Sequence, residues 1–370
     1  MATRSPAGVL LPTAVVGSYS VPEWLERLKT DFHQQRLSRA HFDEIHDVVI
    51  KAAITDQERA GIDFVSDGEL RRDNDIDYLL ARIAGVRMPT MAKAYYYDYY
   101  DSVVGSHLPA DAPPLGLADE FRFTAAQTDL PIKFSLTGPF SLSRRIRNEA
   151  YRSDADLVRA LADVLNAEAA ELVSAGATWL QLDEPFLAGY RDQVDLAIEA
   201  VNIVTKGVDA TWGLHVCYGN RYARPSWEGH YDFLFPAVLE AHVDQLVLEF
   251  ARKGYDDLKL LTRYGWDRTL GLGVIDVKSE DIETGDLVAS RIRRALDVLP
   301  PERVVVNPDC GLRHLPAGVA RAKLRAMVAG AAQVREEVVT PRPGGDLSSA
   351  AEHDPAAQRA VLAAVPNEEA

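Results

Sequence analysis

Short apolar runs recur along this chain, and most of them stop at a polar residue, a glycine or a proline. They fall at 13–18, 64–69, 132–139, 178–185, 211–217, 245–250, 270–276 and 303–308. Runs this short and this rich in Val, Ile and Leu read as buried strands rather than helices. Between them the period changes. Residues 154–175 are apolar at Leu157, Leu161, Val164, Leu165, Ala169 and Leu172, with Ser153 as a start signal and Gly176 as a stop. Stretches 194–204, 236–242, 287–299 and 319–334 have the same helical spacing. Strand alternating with helix eight times predicts an α/β fold, a (β/α)8 TIM barrel. A doubly wound open sheet shares this rhythm, but no Gly-x-Gly-x-x-Gly follows an early strand.

The spacing predicts one barrel domain over 1–340, with a long insertion or lid at 70–131 after the second strand. A second long connection, 21–61, reads as mostly helical. The aromatic run 95–100 (Tyr-Tyr-Tyr-Asp-Tyr-Tyr) could line a pocket or form a hairpin on the barrel rim. Residues 341–370 read as a flexible tail, with room for a short helix at 356–364.

Barrel enzymes build their sites at the C-terminal ends of the strands. Here those ends carry Gly17-Ser18, Asp67-Gly68-Glu69, Thr137-Gly138, Asp183-Glu184, His215 and Cys217, Glu249, Asp276, and Asp309-Cys310. In His215-x-Cys217 the two side chains point to one side of a strand. Together with Cys310 and Glu249 they form a donor set that suits Zn2+. Two thiolates, one carboxylate and the dication sum to about −1. Such a centre is a poor activator of water but keeps a bound substrate thiolate electron-rich, so alkyl transfer to a thiol is expected. Four protein ligands would close the site, and Glu249 is the one a substrate would displace. Glu249 could instead pair with Arg252 or Lys253, and the two cysteines could be ordinary buried thiols. Asp183 and Glu69 are placed to hold a substrate ammonium. Glu69 could also carry a proton, and Gly17-Ser18 could meet a carboxylate.

Composition narrows the partners. The chain is 47% hydrophobic, enough for a sizeable core, and its net charge of −15 excludes nucleic acid and anionic membranes as expected partners. No apolar run approaches the ~20 residues of a membrane span. The first twelve residues have one Arg and no long apolar stretch, so no export signal is expected. Two cysteines without export fit a reducing, cytoplasmic setting and argue against a Cys217–Cys310 disulfide.

These strand ends, with Leu136-Thr137-Gly138-Pro139, Asp183-Glu184-Pro185 and Asn307-Pro308-Asp309-Cys310-Gly311, resemble the catalytic barrel of cobalamin-independent methionine synthase over roughly residues 12–335. The resemblance implies a zinc-dependent methyltransferase of methionine biosynthesis. Its zinc ligands would be His215, Cys217, Glu249 and Cys310, and its homocysteine contacts Ser18, Glu69 and Asp183. Departures mark the donor side. The chain lacks room for the family's second, N-terminal barrel. Arg145 stands where a folate-stacking Trp is expected, Gly189 where an acid is expected, and Lys278 where the family has a proton-donating His. Arg145 and Lys278 thus become candidate substrate-binding and catalytic cations. Single-barrel relatives include methionine synthases fed by a corrinoid protein and the epoxyalkane:coenzyme M transferases, which open an epoxide with a zinc-bound thiol. A barrel that has lost catalysis and keeps zinc as a structural ion is the remaining reading.

Overall fold

The computed structural model describes residues 8–89 and 97–340. Its strands are β1 (Val86–Arg87), β2 (Ser102–Val104), β3 (Phe134–Thr137), β4 (Ile146–Asn148), β5 (Trp179–Asp183), β6 (Thr211–Val216), β7 (Gln245–Leu248), β8 (Thr269–Ile275) and β9 (Val304–Pro308). Six of them form one parallel sheet in the order β3-β5-β6-β7-β8-β9. The two remaining barrel positions are short. Thr13 bridges Val306, Ala14 bridges Phe64, and Val65 bridges Ile132, all parallel. These bridges carry the hydrogen bonding from β9 back to the chain leading into β3 and complete the TIM barrel.

The first two expected strands are this short because side chains take over their pairing. The Asp63 carboxylate accepts from Thr13 N at 2.8 Å and from Thr13 Oγ1 at 2.9 Å. The Gln57 amide accepts from Ser66 N and donates to Ser66 O, both at 3.0 Å, as a neighbouring strand would.

Helices cover the outside. Glu23–His33 and Arg39–Ala60 fill the first long connection, and the second ends at Gly61 with φ 85°. Asp154–Ser174 starts where expected, with Ser153 Oγ accepting from Asp156 N. Val194–Thr205, Gly285–Leu296 and Ala317–Val339 match their predicted stretches to within a few residues. The expected helix at 236–242 is only a 3-10 turn, Ala237–Glu240, because the chain is already extended at Ala241 on its way to β7. Leu258–Tyr264, between β7 and β8, was not legible as a helix.

The insertion contributes β1 and β2, which join β4 in a small sheet of order β1-β2-β4, and the helices Asp77–Leu80 and Leu117–Ala125. Residues 95 and 96 of the aromatic run, and the whole tail 341–370 with its expected helix, lie outside the described residues. Backbone contacts group Met1–Arg335 as one unit, which carries the barrel, and Glu336–Ala370 as another.

The barrel lumen is layered. Alternate residues of β5 face the same side, so Trp179, Gln181 and Asp183 mark three levels. Trp179 packs with Ala14, Phe64 and Val305 in an apolar plug separate from the main core. Gln181 Nε2 at the next level donates to Val16 O and to Asp183 Oδ1. Asp183 stands at the third level, where the site begins.

Candidate metal centre and substrate pocket

His215 and Cys217 leave the end of β6, and Cys310 follows β9. Their ligand atoms all lie within 4.8 Å of one another. The two sulfurs are 3.6 Å apart, and both cysteines are free. The Cys310 thiol is pushed well above its ordinary value, first by its hydrogen bond with Cys217 and then by burial. A divalent cation between the sulfurs would remove that cost. His215 Nδ1 sits 3.2 Å from Val247 O, while Nε2 is buried without a hydrogen-bond partner. If Nδ1 carries the proton and donates it to that carbonyl, Nε2 keeps a free lone pair, the arrangement of a metal-ligating histidine. An orphaned imidazole nitrogen beside two thiols is a donor set that fits zinc.

Glu249 is not in that group. Its carboxylate is wholly out of solvent and meets two cations: Lys278 Nζ at 2.9 Å and Arg252 Nε at 3.0 Å. The expected pairing with Arg252 is present, and Lys278 stands in the place considered for Lys253. Lys253 itself donates to Gly229 O. Lys278 is held on Glu249 behind the pocket wall and is not among the residues that line the cavity.

The motif around Cys310 is built to hold its neighbours. Asn307 Nδ2 donates to Ala14 O across the barrel seam. The Asp309 carboxylate accepts from Phe250 N, Ala251 N and Arg252 N, fixing the turn after Glu249. A Cβ at Gly311 would collide with Ser18 Oγ and crowd Ser18 Cβ, so a side chain here would displace the Ser18 hydroxyl.

A cavity of about 210 Å3 opens over the three metal-ligand candidates. Gly17, Ser18, Glu69, Asp183 and Arg145, all expected there, line it. Glu69 adopts φ +54°, a strained conformation for a residue with a side chain, and is held by Arg72 at 3.2 Å and by Ser135 Oγ. Burial pushes the Asp183 carboxyl upward, against the favourable charge of His215. Glu184, its neighbour, is structural: it accepts from Phe140 N, Ser141 N and Ser141 Oγ at the start of the turn of helix after β3.

Other residues of the pocket were missed. Asp75 lines it, accepts from Tyr99 Oη at 2.8 Å, and is pushed up to about 6 by burial. It lies in the insertion, in a run of charged residues that reads as surface. Of the described part of the aromatic run, Tyr97 and Tyr99 lie on the pocket wall with Phe186 and Trp227, while Tyr100 lines a different cavity. A larger cavity of about 790 Å3, between the N-terminal helices and the insertion, contains none of the expected site residues.

Comparison with known proteins agrees with this geometry. The family described as cobalamin-independent synthase, catalytic domain, matches residues 11–333. A methionine synthase of Saccharolobus solfataricus is 38% identical over 333 residues, covering 89% of this chain and 96% of that protein. One from Sulfurisphaera tokodaii is 37% identical over 332 residues, covering 89% and 94%. The solved B12-independent methionine synthase of Shewanella sp. W3-18-1, in complex with selenomethionine, superposes with a TM-score of 0.79 at 27% identity, covering 90% of this chain and 99% of that one. With that family's catalytic domain matched along nearly the whole barrel, the chain belongs to the cobalamin-independent methionine synthase family.

Proposed function

We propose that this protein transfers a methyl group to the sulfur of homocysteine, with zinc held by His215, Cys217 and Cys310. The observation that carries the reading is the joining of two chemistries in one small cavity. One end has a buried imidazole and two thiols. Within reach stand three carboxylates, Glu69, Asp75 and Asp183. The first suits a thiol and the second an ammonium.

Zinc bound there would supply a thiolate at neutral pH, where a free thiol of pKa ~8.5 is mostly protonated. The chain's own residues do the rest. Asp183 and Asp75 hold the ammonium, and Ser18 with the Gly17 backbone meets the substrate carboxylate. Tyr97, Tyr99 and Phe186 keep water from the sulfur. The sulfur–methyl bond forms as the carrier's bond to the methyl breaks. The electron pair leaves with the carrier, and the thiol proton is released on binding. The Shewanella relative was solved with selenomethionine, the selenium counterpart of the product of such a transfer.

The three carboxylates weigh against a sulfonate-bearing thiol such as coenzyme M, because like charges would face each other. The relatives' cobalamin-independent description gives no support to a corrinoid protein as an obligatory partner. Purified protein loaded with zinc and given homocysteine and methyl carriers should form methionine, measured by mass spectrometry. Absence of homocysteine binding by calorimetry would overturn the reading.

A further inference from the structure

The sulfurs of Cys217 and Cys310 lie 3.6 Å apart, although the two residues are 93 positions distant in sequence. A disulfide bond is ~2.05 Å long, so the pair need close by only about 1.5 Å to form one. Cys217 is buried, Cys310 is half-buried, and both line the cavity over the metal centre. They are the only cysteines of the chain. An oxidant entering the cavity therefore meets Cys310 first. A mixed disulfide formed there has the Cys217 sulfur beside it to complete the exchange.

The cavity also selects which oxidant enters. Glu69, Asp75 and Asp183 share it with the sulfurs. Glu69 is paired with Arg72. Asp183 accepts from the Gln181 amide at 2.7 Å and Asp75 from the Tyr99 hydroxyl at 2.8 Å, both uncharged donors. A cation on the incoming molecule gains from these carboxylates, and a small neutral peroxide does not. The oxidised form of homocysteine is its disulfide, homocystine, which keeps the same ammonium at the same reach from sulfur. One half of it suits the cavity of about 210 Å3. The other half extends towards the mouth, where the Arg221 side chain is 47% exposed.

We propose that Cys217 and Cys310 also reduce homocystine, closing to a disulfide that no longer holds zinc; this activity rests on the reading of homocysteine as substrate. The Cys310 sulfur attacks one sulfur of homocystine, the S–S bond breaks, and one homocysteine thiolate leaves. The Cys217 sulfur then attacks the Cys310 sulfur, and the second homocysteine thiolate leaves. Homocystine has gained two electrons and the cysteine pair has lost two. Two anionic donors have become one neutral disulfide, so Zn2+ departs with the two homocysteine thiolates as its charge balance. A thiol reductant reverses the closure. The site thus stops methyl transfer when its thiol substrate is oxidised, and returns that substrate to the thiol form as it does so.

The test uses the zinc-loaded full chain without reductant and two probes. One is homocystine. The other is N,N′-diacetylhomocystine, which has the same disulfide and carboxylates but no ammonium. Homocystine should release the zinc, read with a colorimetric chelator. It should also abolish both free thiols and lower the intact mass by two hydrogens. The diacetyl compound should act at least tenfold more slowly, and Asp183→Asn should bring the two rates within about threefold of each other. Cys217→Ser, which lacks the second sulfur, should instead retain one homocysteine on Cys310. Dithiothreitol followed by zinc should restore the metal content of the oxidised wild type. Zinc and both thiols retained under homocystine, a lasting homocysteine adduct on the wild type, or equal rates for the two probes overturns the proposal. Homocysteine that fails to bind the wild type in calorimetry overturns instead the function on which it rests.

Discussion

Lys278 Nζ lies 2.9 Å from Glu249 Oε2, with 3% of the lysine side chain and none of the glutamate exposed to solvent. A buried ion pair is weak evidence for stability, but removing one partner leaves a charge stranded. Arg252 remains for Glu249, so the loss is partial. Lys278→Met should therefore lower unfolding stability by about 3 kcal/mol, the low end for a broken buried pair. Adding Glu249→Gln should recover part of the loss. Denaturant unfolding of the two variants measures it, and equal or greater destabilisation of the double variant would refute the coupling.

The metal centre makes a separate prediction. Three ligand atoms converge without Glu249, so Cys217→Ser and Cys310→Ser should each lose most of the bound zinc. Glu249→Gln should keep it. Metal analysis of dialysed protein decides between this and a four-ligand site, in which Glu249→Gln would lose zinc as readily as the cysteine variants.

The ammonium end should show a pH edge. Burial pushes the Asp75 carboxyl up to about 6. The substrate ammonium keeps its charge well above that value, so affinity for homocysteine should fall as pH drops through about 6 and the carboxylate is neutralised. Asp75→Asn should lose that component of the edge. Asp183→Asn should cost roughly 1.5–3 kcal/mol of binding, the range for a hydrogen bond to a charged group. Calorimetry between pH 5 and pH 8 (roughly the span on either side of the expected edge) checks both variants.

The strands and the metal triad were legible because their signals are local. A run of Val and Leu ending in His-x-Cys has a fixed side-chain direction on a strand, and Cys310 stands out as the second of two cysteines. The Lys278–Glu249 pair was not legible. It joins residues 29 apart through side-chain reach. Asp75 escaped for a related reason. Its burial comes from the insertion folding over the barrel, with Tyr99 donating to it from 24 residues away. The shortness of the first two strands was equally hidden, because Asp63 and Gln57 supply their hydrogen bonds by side chain.

Lys133 offers a test of the barrel lumen itself. It precedes β3, is fully buried, and its Nζ has no hydrogen-bond partner. Burial lowers its pKa from 10.5 to about 7, against the favourable charge of Asp183. In the unfolded chain the amine titrates near ~10.4. Between about pH 7 and about pH 10.4 the unfolded state thus binds more protons than the folded state, so this group makes stability rise with pH across that window. Its cost is nearly full at pH 7 and fades towards pH 10.4. Lys133→Met replaces the amine with an apolar chain of similar length beside Trp179. It should stabilise the protein by about 2–4 kcal/mol near neutral pH. The advantage over the wild type should shrink steadily as pH approaches ~10. Thermal unfolding of both proteins at several pH values reads this directly. A gap that stays constant with pH would mean that Lys133 remains charged in the folded barrel, with water or an anion in the lumen to solvate it.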